Sequence, residues 1–278
     1  LWADELLQQI QHETMLEDTT QRKYEKMLRF GDTVNMPRKS NPAVTSPSFG
    51  DAVSATYSEI TEGVQTLTIT VHDYSAMDIG DIAEFQSKYS VRESYHESMG
   101  YSLARTRDVA ISTLYQNLSQ VQGALGSPLN DSHLLDAWRQ LASASTPKSP
   151  RYLPISPRAL ASLMQIDKFI NQLYLGTTGQ MLKDGVPIRQ IYGAQVMETN
   201  LLRVPSTGQA EAAMYHKDQF ALAVQGMPDT ILHHDPTTLS WKMIVHQFYG
   251  TAEINRAPET LGGGTAVDTW GVLLRTHG

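Results

Sequence analysis

Between residues 30 and 74 the chain reads FGDTVNMPRKSNPAVTSPSFGDAVSATYSEITEGVQTLTITVHDY, and this stretch restricts the fold more than any other. Both of its ends carry strand patterns. Val34 and Met36 alternate with Thr33 and Asn35, and Leu67, Ile69 and Val71 alternate with Thr66, Thr68, Thr70 and His72, the period of two that marks one buried face. Between Pro37 and Gly63 lie roughly 25 residues with N-P and S-P turn signals and one short strand pattern, AVSATYSEI. A hairpin of this size is marginal alone, and connections beyond about 12 to 15 residues without structure of their own are usually functional or disordered. The segment therefore calls for partners outside itself.

The texture changes at Asp78. DIGDIAEFQSKYSVRESYHESMGYSLARTRDVAISTLYQNL contains no proline, opens on a capping Asp81, and sets Ile82, Phe85, Tyr89, Met99 and Leu103 on a broken helical stripe. A helix from residue 81 to 118 would span about 55 Å at 1.5 Å per residue. Arg92 and His96 interrupt its apolar face, so it is expected to be half exposed or to lie on another subunit, and Gly100 gives it a place to bend. Ahead of the excursion, Trp2, Leu6 and Ile10 suggest a short amphipathic helix, followed by the mixed-charge run EDTTQRKYEKMLRF.

Beyond the long helix, GSPLNDSHLLDAWRQLAS predicts a turn and a helix capped by Asp131 or Ser132. RYLPIS predicts a strand, followed by a helix with Pro157 in its first turn that runs through Phe169. GVPIRQIYGAQVMETNLL and AAMYHKDQFALAVQ read as strands or short helices of a mixed domain. ILHHDPTTLSWKMIVHQFYGTAEI reads as two strands joined at D-P-T-T, and LGGGTAVDTWGVLLRT as a loop before a final strand.

Composition removes several function classes. The 278 residues are 41% hydrophobic and 18% charged, the balance of an ordinary globular chain. A formal charge of -7, from 29 acids against 22 bases, argues against a general nucleic-acid binder, which needs clustered Lys and Arg. With no cysteine there is no disulfide framework, Cys-type zinc site or thiol catalysis. The longest uncharged run, Val109 to Asn130, is studded with Ser, Gln and Asn, well short of the roughly 20 apolar residues of a membrane span. The opening LWADELLQQI lacks the basic flank and apolar core of a signal peptide, and a soluble chain is expected.

The search for chemistry is negative. Gly262 to Gly264 lack the lysine and following helix of a phosphate loop. GYSLA, Gly100 to Ala104, is one residue short of a nucleophile elbow, and Ser102 falls within a helix. His233, His234 and Asp235, with His216 and His246 as distant candidates, do not have metal-ligand spacing, because adjacent strand residues point to opposite faces. Asn117 and Asn130 match glycosylation sequons, which matter only in a secreted chain. No catalytic residue, cofactor or metal is assigned.

Taken in order, an arm, a long polar hairpin, a very long helix, a mixed domain and a late strand pair resemble the major capsid protein of tailed bacteriophages, the HK-ninety-seven fold. The resemblance covers nearly the whole chain and is carried by GDTVNMP (Gly31 to Pro37), YSAMDIGDIAEFQS, RYLPISPRALASLM, IYGAQVMETNLL and MYHKDQFALAV. It implies an α+β chain with an N-terminal arm at 1-29 and an extended β-hairpin loop at 30-72. It also implies a peripheral domain at 73-128 and 226-260, with a spine helix at about 81-118 entered from Tyr74, and an axial domain at 129-225 and 261-278. Val272 to Leu274 would close back on the axial domain.

The function implied is structural: hexamers and pentamers of an icosahedral shell around a double-stranded DNA genome. The partners implied are further copies of the chain, portal, scaffolding and decoration proteins, and packaged DNA held without sequence preference, with no membrane. The protein would reside in the virion after assembly in the host bacterial cytoplasm. One crosslinking branch of this family joins a lysine and an asparagine of neighbouring subunits, but no such pair is identified here, Lys39 included. Arg38 and Lys39, adjacent cations in a loop without a visible intrachain partner, are the candidates for intersubunit ion pairs. The nearest alternative is an encapsulin-type nanocompartment shell. A soluble hydrolase or metal enzyme is a third reading, and a phage tail or decoration protein fits the long helix poorly.

Overall fold

The computed structural model describes residues 14–29, 31–39, 62–81, 91–170, 190–255 and 270–278. The helix expected at Trp2, Leu6 and Ile10, the strand AVSATYSEI, the stripe positions Ile82, Phe85 and Tyr89, and Gly262 to Gly264 lie outside the described residues.

Among the described residues, three sheets organise the chain. The first is a two-stranded ribbon of β1 (Thr33–Lys39) and β2 (Glu62–Thr68), antiparallel from Thr33 opposite Thr68 to Lys39 opposite Glu62. The second joins β3 (Val71–Gly80), β10 (Ser240–Glu253) and β9 (Phe220–Asp235) in that order. The third runs β4 (Val121–Gly123), β11 (Gly271–His277), β8 (Gln209–His216), β5 (Arg151–Ile155), β7 (Ala194–Glu198) and β6 (Gln190–Ile191). The helices are α1 (Val91–Thr113), α2 (Asp131–Ser143), α3 (Pro157–Leu163) and α4 (Asp167–Ile170).

The alternation read through Val71 is real, but it spans two strands. The chain breaks at Ile69 and Thr70, so Leu67 is buried beneath the ribbon while Val71 packs on the main core. Here β10 presses against the break: a Cβ on Gly250 would overlap the Thr68 carbonyl, and only glycine admits so close an approach. The stretch YSAMDIG is also strand, not an entry into the spine helix. Its side chains alternate between half-covered and exposed, and β3 pairs with β10 from Val71 opposite Tyr249 to Gly80 opposite Ser240.

The described part of helix α1 covers 23 residues, about 35 Å, continues through Gly100, and tightens into a 3-10 turn at Leu114–Asn117. Its Met99 and Leu103 pack on Met243 and Val245 of β10, with Met77 of β3 beside them. At α2 the N-cap is Asn130, and Asp131 is the first helical residue. The side chain of Asp131 is drawn away to Lys168 and the Tyr192 hydroxyl. The helix expected through Phe169 is two helices. Ser156 caps α3 by accepting from Ala159 N–H, and turns at Gln165 and Ile166 close it, so that Phe169 meets Tyr192 edge-on.

The main core lies between the six-stranded sheet and its helices. Leu134, Ala137 and Leu141 form one stripe of α2, Ala159, Leu160 and Leu163 the inner side of α3, and Tyr115, Tyr215 and Phe220 an aromatic centre. Every residue of β8 from Ala210 to His216 is buried, with alanines at 210, 212 and 213. That continuous burial marks a central strand covered on both faces.

Candidate functional site

The two-stranded ribbon is rooted firmly. Val34, Met36 and Leu67 face Leu28, Ala221 and Ala223, closing a small apolar cluster over the start of β9. Ile69 N–H donates to the Asp32 carbonyl at 2.8 Å, and the Gln225 amide donates to the carbonyls of Leu28 and Gly31 at 3.0 Å each. Gln65 reaches down to β10, accepting from Asn255 N–H and donating to the Glu253 carbonyl. Above this root the ribbon has little cover: Val64 is 61% exposed, and Asn35, Pro37 and Thr66 are exposed as well.

Arg38 and Lys39 stand at the distal end of β1. The register sets Arg38 opposite Gly63 and Lys39 opposite Glu62. An acidic residue therefore lies directly across from Lys39, which sequence reading had not supplied, while Arg38 has no acidic residue opposite. The pairing that decides this is invisible without knowing where the chain turns back.

A second feature was not read from the sequence: a strap formed by residues 14–21. The carboxylate of Asp108, fully buried on α1, accepts from the N–H groups of Met15, Leu16 and Glu17 at 2.8, 3.2 and 3.2 Å. Beside it Arg107 pairs with Glu17 and donates to Gln247 of β10. The Thr19 hydroxyl donates to the Leu16 carbonyl and meets the Tyr215 hydroxyl at 2.6 Å, and Tyr115 completes the chain of hydroxyls. Gln21 then adds a parallel bridge to Ala221 at the head of β9. The strap thus ties α1, the three-stranded sheet and β8 of the six-stranded sheet together. Burial dominates its electrostatics: it raises Asp108 above the ordinary carboxylate value against the pull of the three N–H donors, and it pushes Tyr215 up to about 12.

These groups are structural in disposition. Ser102 donates to the Ser98 carbonyl within α1. His234 meets Asp81, just beyond β3, at 3.0 Å, and Asp235 pairs with Lys242 across the β9–β10 turn. Among the described residues no three His, Asp or Glu side chains converge as metal ligands, and no helix is long and apolar enough to cross a membrane.

No protein-family profile matches the chain, and no curated protein does. Solved structures do. A structure from Mycobacterium phage Che8 superposes with a TM-score of 0.81 at 20% identity, over 99% of this chain and 95% of that one. The capsid structure of the cyanophage P-SCSP1u gives 0.76 at 16%, over 99% and 92%, and the capsid of a native GTA particle gives 0.71 at 9%, over 100% and 95%. Coverage of nearly all of each chain means that the likeness extends over the whole fold and not one piece of it. The chain has the α+β fold found in tailed-phage capsid structures.

Proposed function

We propose that this chain is a structural major capsid protein, not an enzyme, that self-assembles into the hexamers and pentamers of an icosahedral shell around the double-stranded DNA of a tailed phage. One observation carries the reading: the fold agrees over 99% of this chain and 95% of a phage protein at a TM-score of 0.81, leaving almost nothing over for another activity. The exposed ribbon agrees with it physically. Two strands alone are marginal in water, and a neighbouring subunit supplies the cover they lack. Many modest interfaces per subunit then act together, so a shell is stable while a misplaced subunit can still leave.

Within this reading, residues 30-72 are the extended loop and 1-29 the arm. Residues 73-128 and 226-260 form the peripheral domain, and 129-225 with 261-278 the axial domain. The portal, scaffolding and decoration proteins and packaged DNA are its further partners. The virion is its final location, reached by assembly in the host cytoplasm. The purified chain, examined by electron microscopy and sedimentation velocity, is expected to give closed shells. A stable monomer at high concentration overturns the reading, and shells filled with a cargo enzyme in place of DNA would turn it to a nanocompartment.

A further inference from the structure

Strand β3 is an edge of the three-stranded sheet, and it pairs with β10 without interruption from Val71 to Gly80. Its other side is open: among the described residues, no backbone hydrogen bond of residues 71–80 goes anywhere but to β10. In a strand alternate residues turn N–H and C=O away from the paired neighbour, so a row of unused donors and acceptors faces outward. Proteins blunt such an edge with lysine, proline, a bulge or a covering segment. Strand β3 has no lysine, no proline and no register shift. Its two acids are Asp78, which is exposed, and Asp73, whose carboxylate accepts from the Tyr249 hydroxyl at 3.1 Å.

The opposite edge of the same sheet is defended. At the start of β9, Gln21 forms a parallel bridge with Ala221, and the Val224 N–H donates to the Glu25 carboxylate at 3.3 Å. Farther on, the edge is interrupted by Gly226 at positive φ, by a register shift between His246 and Phe248 of β10, and by Pro228, which has no N–H. The six-stranded sheet ends in β4 and β6, strands of only three and two residues. Against these, ten residues of open edge at β3 are an exception that suits a strand supplied by another chain.

We propose that β3 pairs antiparallel with β3 of a second copy across a two-fold axis, joining two three-stranded sheets into one continuous sheet. The side chains of β3 select this occupant. A two-fold axis normal to the sheet keeps each residue on its own face, so the register must be centred on one residue. Centred on Ser75, it sets Val71 opposite Ile79, Tyr74 opposite Ala76 and His72 opposite Asp78, each of them twice. Imidazole and carboxylate then form a hydrogen-bonding pair at both ends of the face away from α1, with His72 held by stacking on Phe248 at 4.2 Å. Asp73 falls opposite Met77 and keeps its Tyr249 partner. Centring on Tyr74 sets that residue against itself, and centring on Ala76 sets Asp73 opposite Ile79; both lose the pairing of His72 with Asp78. The inference rests on the shell reading above and deepens it by naming one contact, of the two-fold kind that an icosahedral shell contains.

The chain has no cysteine, so a single introduced thiol reports only its own neighbours. Ser75→Cys places that thiol opposite its counterpart at the axis. Under mild oxidation with copper phenanthroline, Ser75→Cys should become a disulfide-linked dimer roughly tenfold or more faster than Ile231→Cys, a control on β9 whose native side chain is 50% exposed. Adding His72→Asp should slow the reaction about tenfold or more by setting carboxylate against carboxylate, and adding Asp78→Lys as well should restore it. Residues 72 and 78 lie about 20 Å apart along one strand, so the rescue has to come from the other copy. Crosslinking of Ser75→Cys no faster than that of Ile231→Cys overturns the proposal, as does a rate indifferent to His72→Asp or left unrestored by Asp78→Lys. Circular dichroism checks that each variant folds, and the comparison of the two cysteine positions decides alone if a charge variant does not. Failure of the wild type to form shells counts against the shell reading, and crosslinking of the unassembled chain at high concentration then judges the edge by itself.

Discussion

Asp108 shows what a single side chain does in this fold. Its carboxylate satisfies three N–H groups that would otherwise be buried without partners, and in doing so fixes where the N-terminal strap crosses α1. Replacing it by alanine orphans those donors at roughly 2 kcal/mol or more, so exchange of the Met15 to Glu17 amides should speed up by about 30-fold or more. The pH dependence has a definite sign. Desolvation raises the folded-state pKa of Asp108 above the ordinary carboxylate value of 3.8. The strap's stability from this group is therefore greatest below that value and declines as pH rises through the folded pKa. After correction for intrinsic rates, the strap amides should be better protected in that acidic range than at neutral pH in the wild type, with the trend lost in Asp108→Ala. Protection that instead falls on acidification would contradict the assignment.

At the scale of elements, α1 and the three-stranded sheet hold each other by a narrow seam. Met99 and Leu103 meet Met243 and Val245, and the buried Gln247 amide donates to the Leu103 carbonyl at 3.0 Å. With so few apolar residues in the cluster, Leu103→Ala removes a large share of it. The expected cost is about 3 kcal/mol, read as a lower denaturant midpoint with an unchanged slope. A loss below about 1 kcal/mol would mean that the helix is held chiefly by its hydrogen bonds. The stripe on α1 was legible because Met99 and Leu103 are four residues apart on one helix. The strands it packs on were legible too, but their pairing was not: β10 could not be placed between β3 and β9 from alternation alone. The break at Ile69 likewise left no mark in the alternation, and the backbone that meets it, at Gly250, lies far along the chain.

For the whole molecule, the ribbon combines a buried root with an upper face that has little cover among the described residues. Its root is buried, its upper face is exposed, and Arg38 has no acidic residue opposite it across the strand pair. If Arg38 and Lys39 pair with carboxylates of neighbouring subunits, Arg38→Glu with Lys39→Glu should cut shell yield severalfold in sedimentation while leaving the subunit's circular dichroism intact. Since Lys39 faces Glu62 in register, the single Arg38→Glu change should account for most of the loss. Normal particles from the double variant would remove both residues from the interface.

The sequence by itself determined what depends on neighbours along the chain. The period-two alternation of Val34 and Met36 set a strand, Pro157 marked the first turn of α3, and the polar composition beyond Pro37 called for partners elsewhere. Only the tertiary structure decided what depends on groups distant in the chain. It set Lys39 opposite Glu62 in register, brought the Met15 to Glu17 amides to Asp108, and buried Arg151 with no carboxylate partner among the described residues. Local propensity is written in spacing, whereas long-range pairing is settled by which buried polar groups and strand edges can satisfy one another at once, and that competition has no short-range signature.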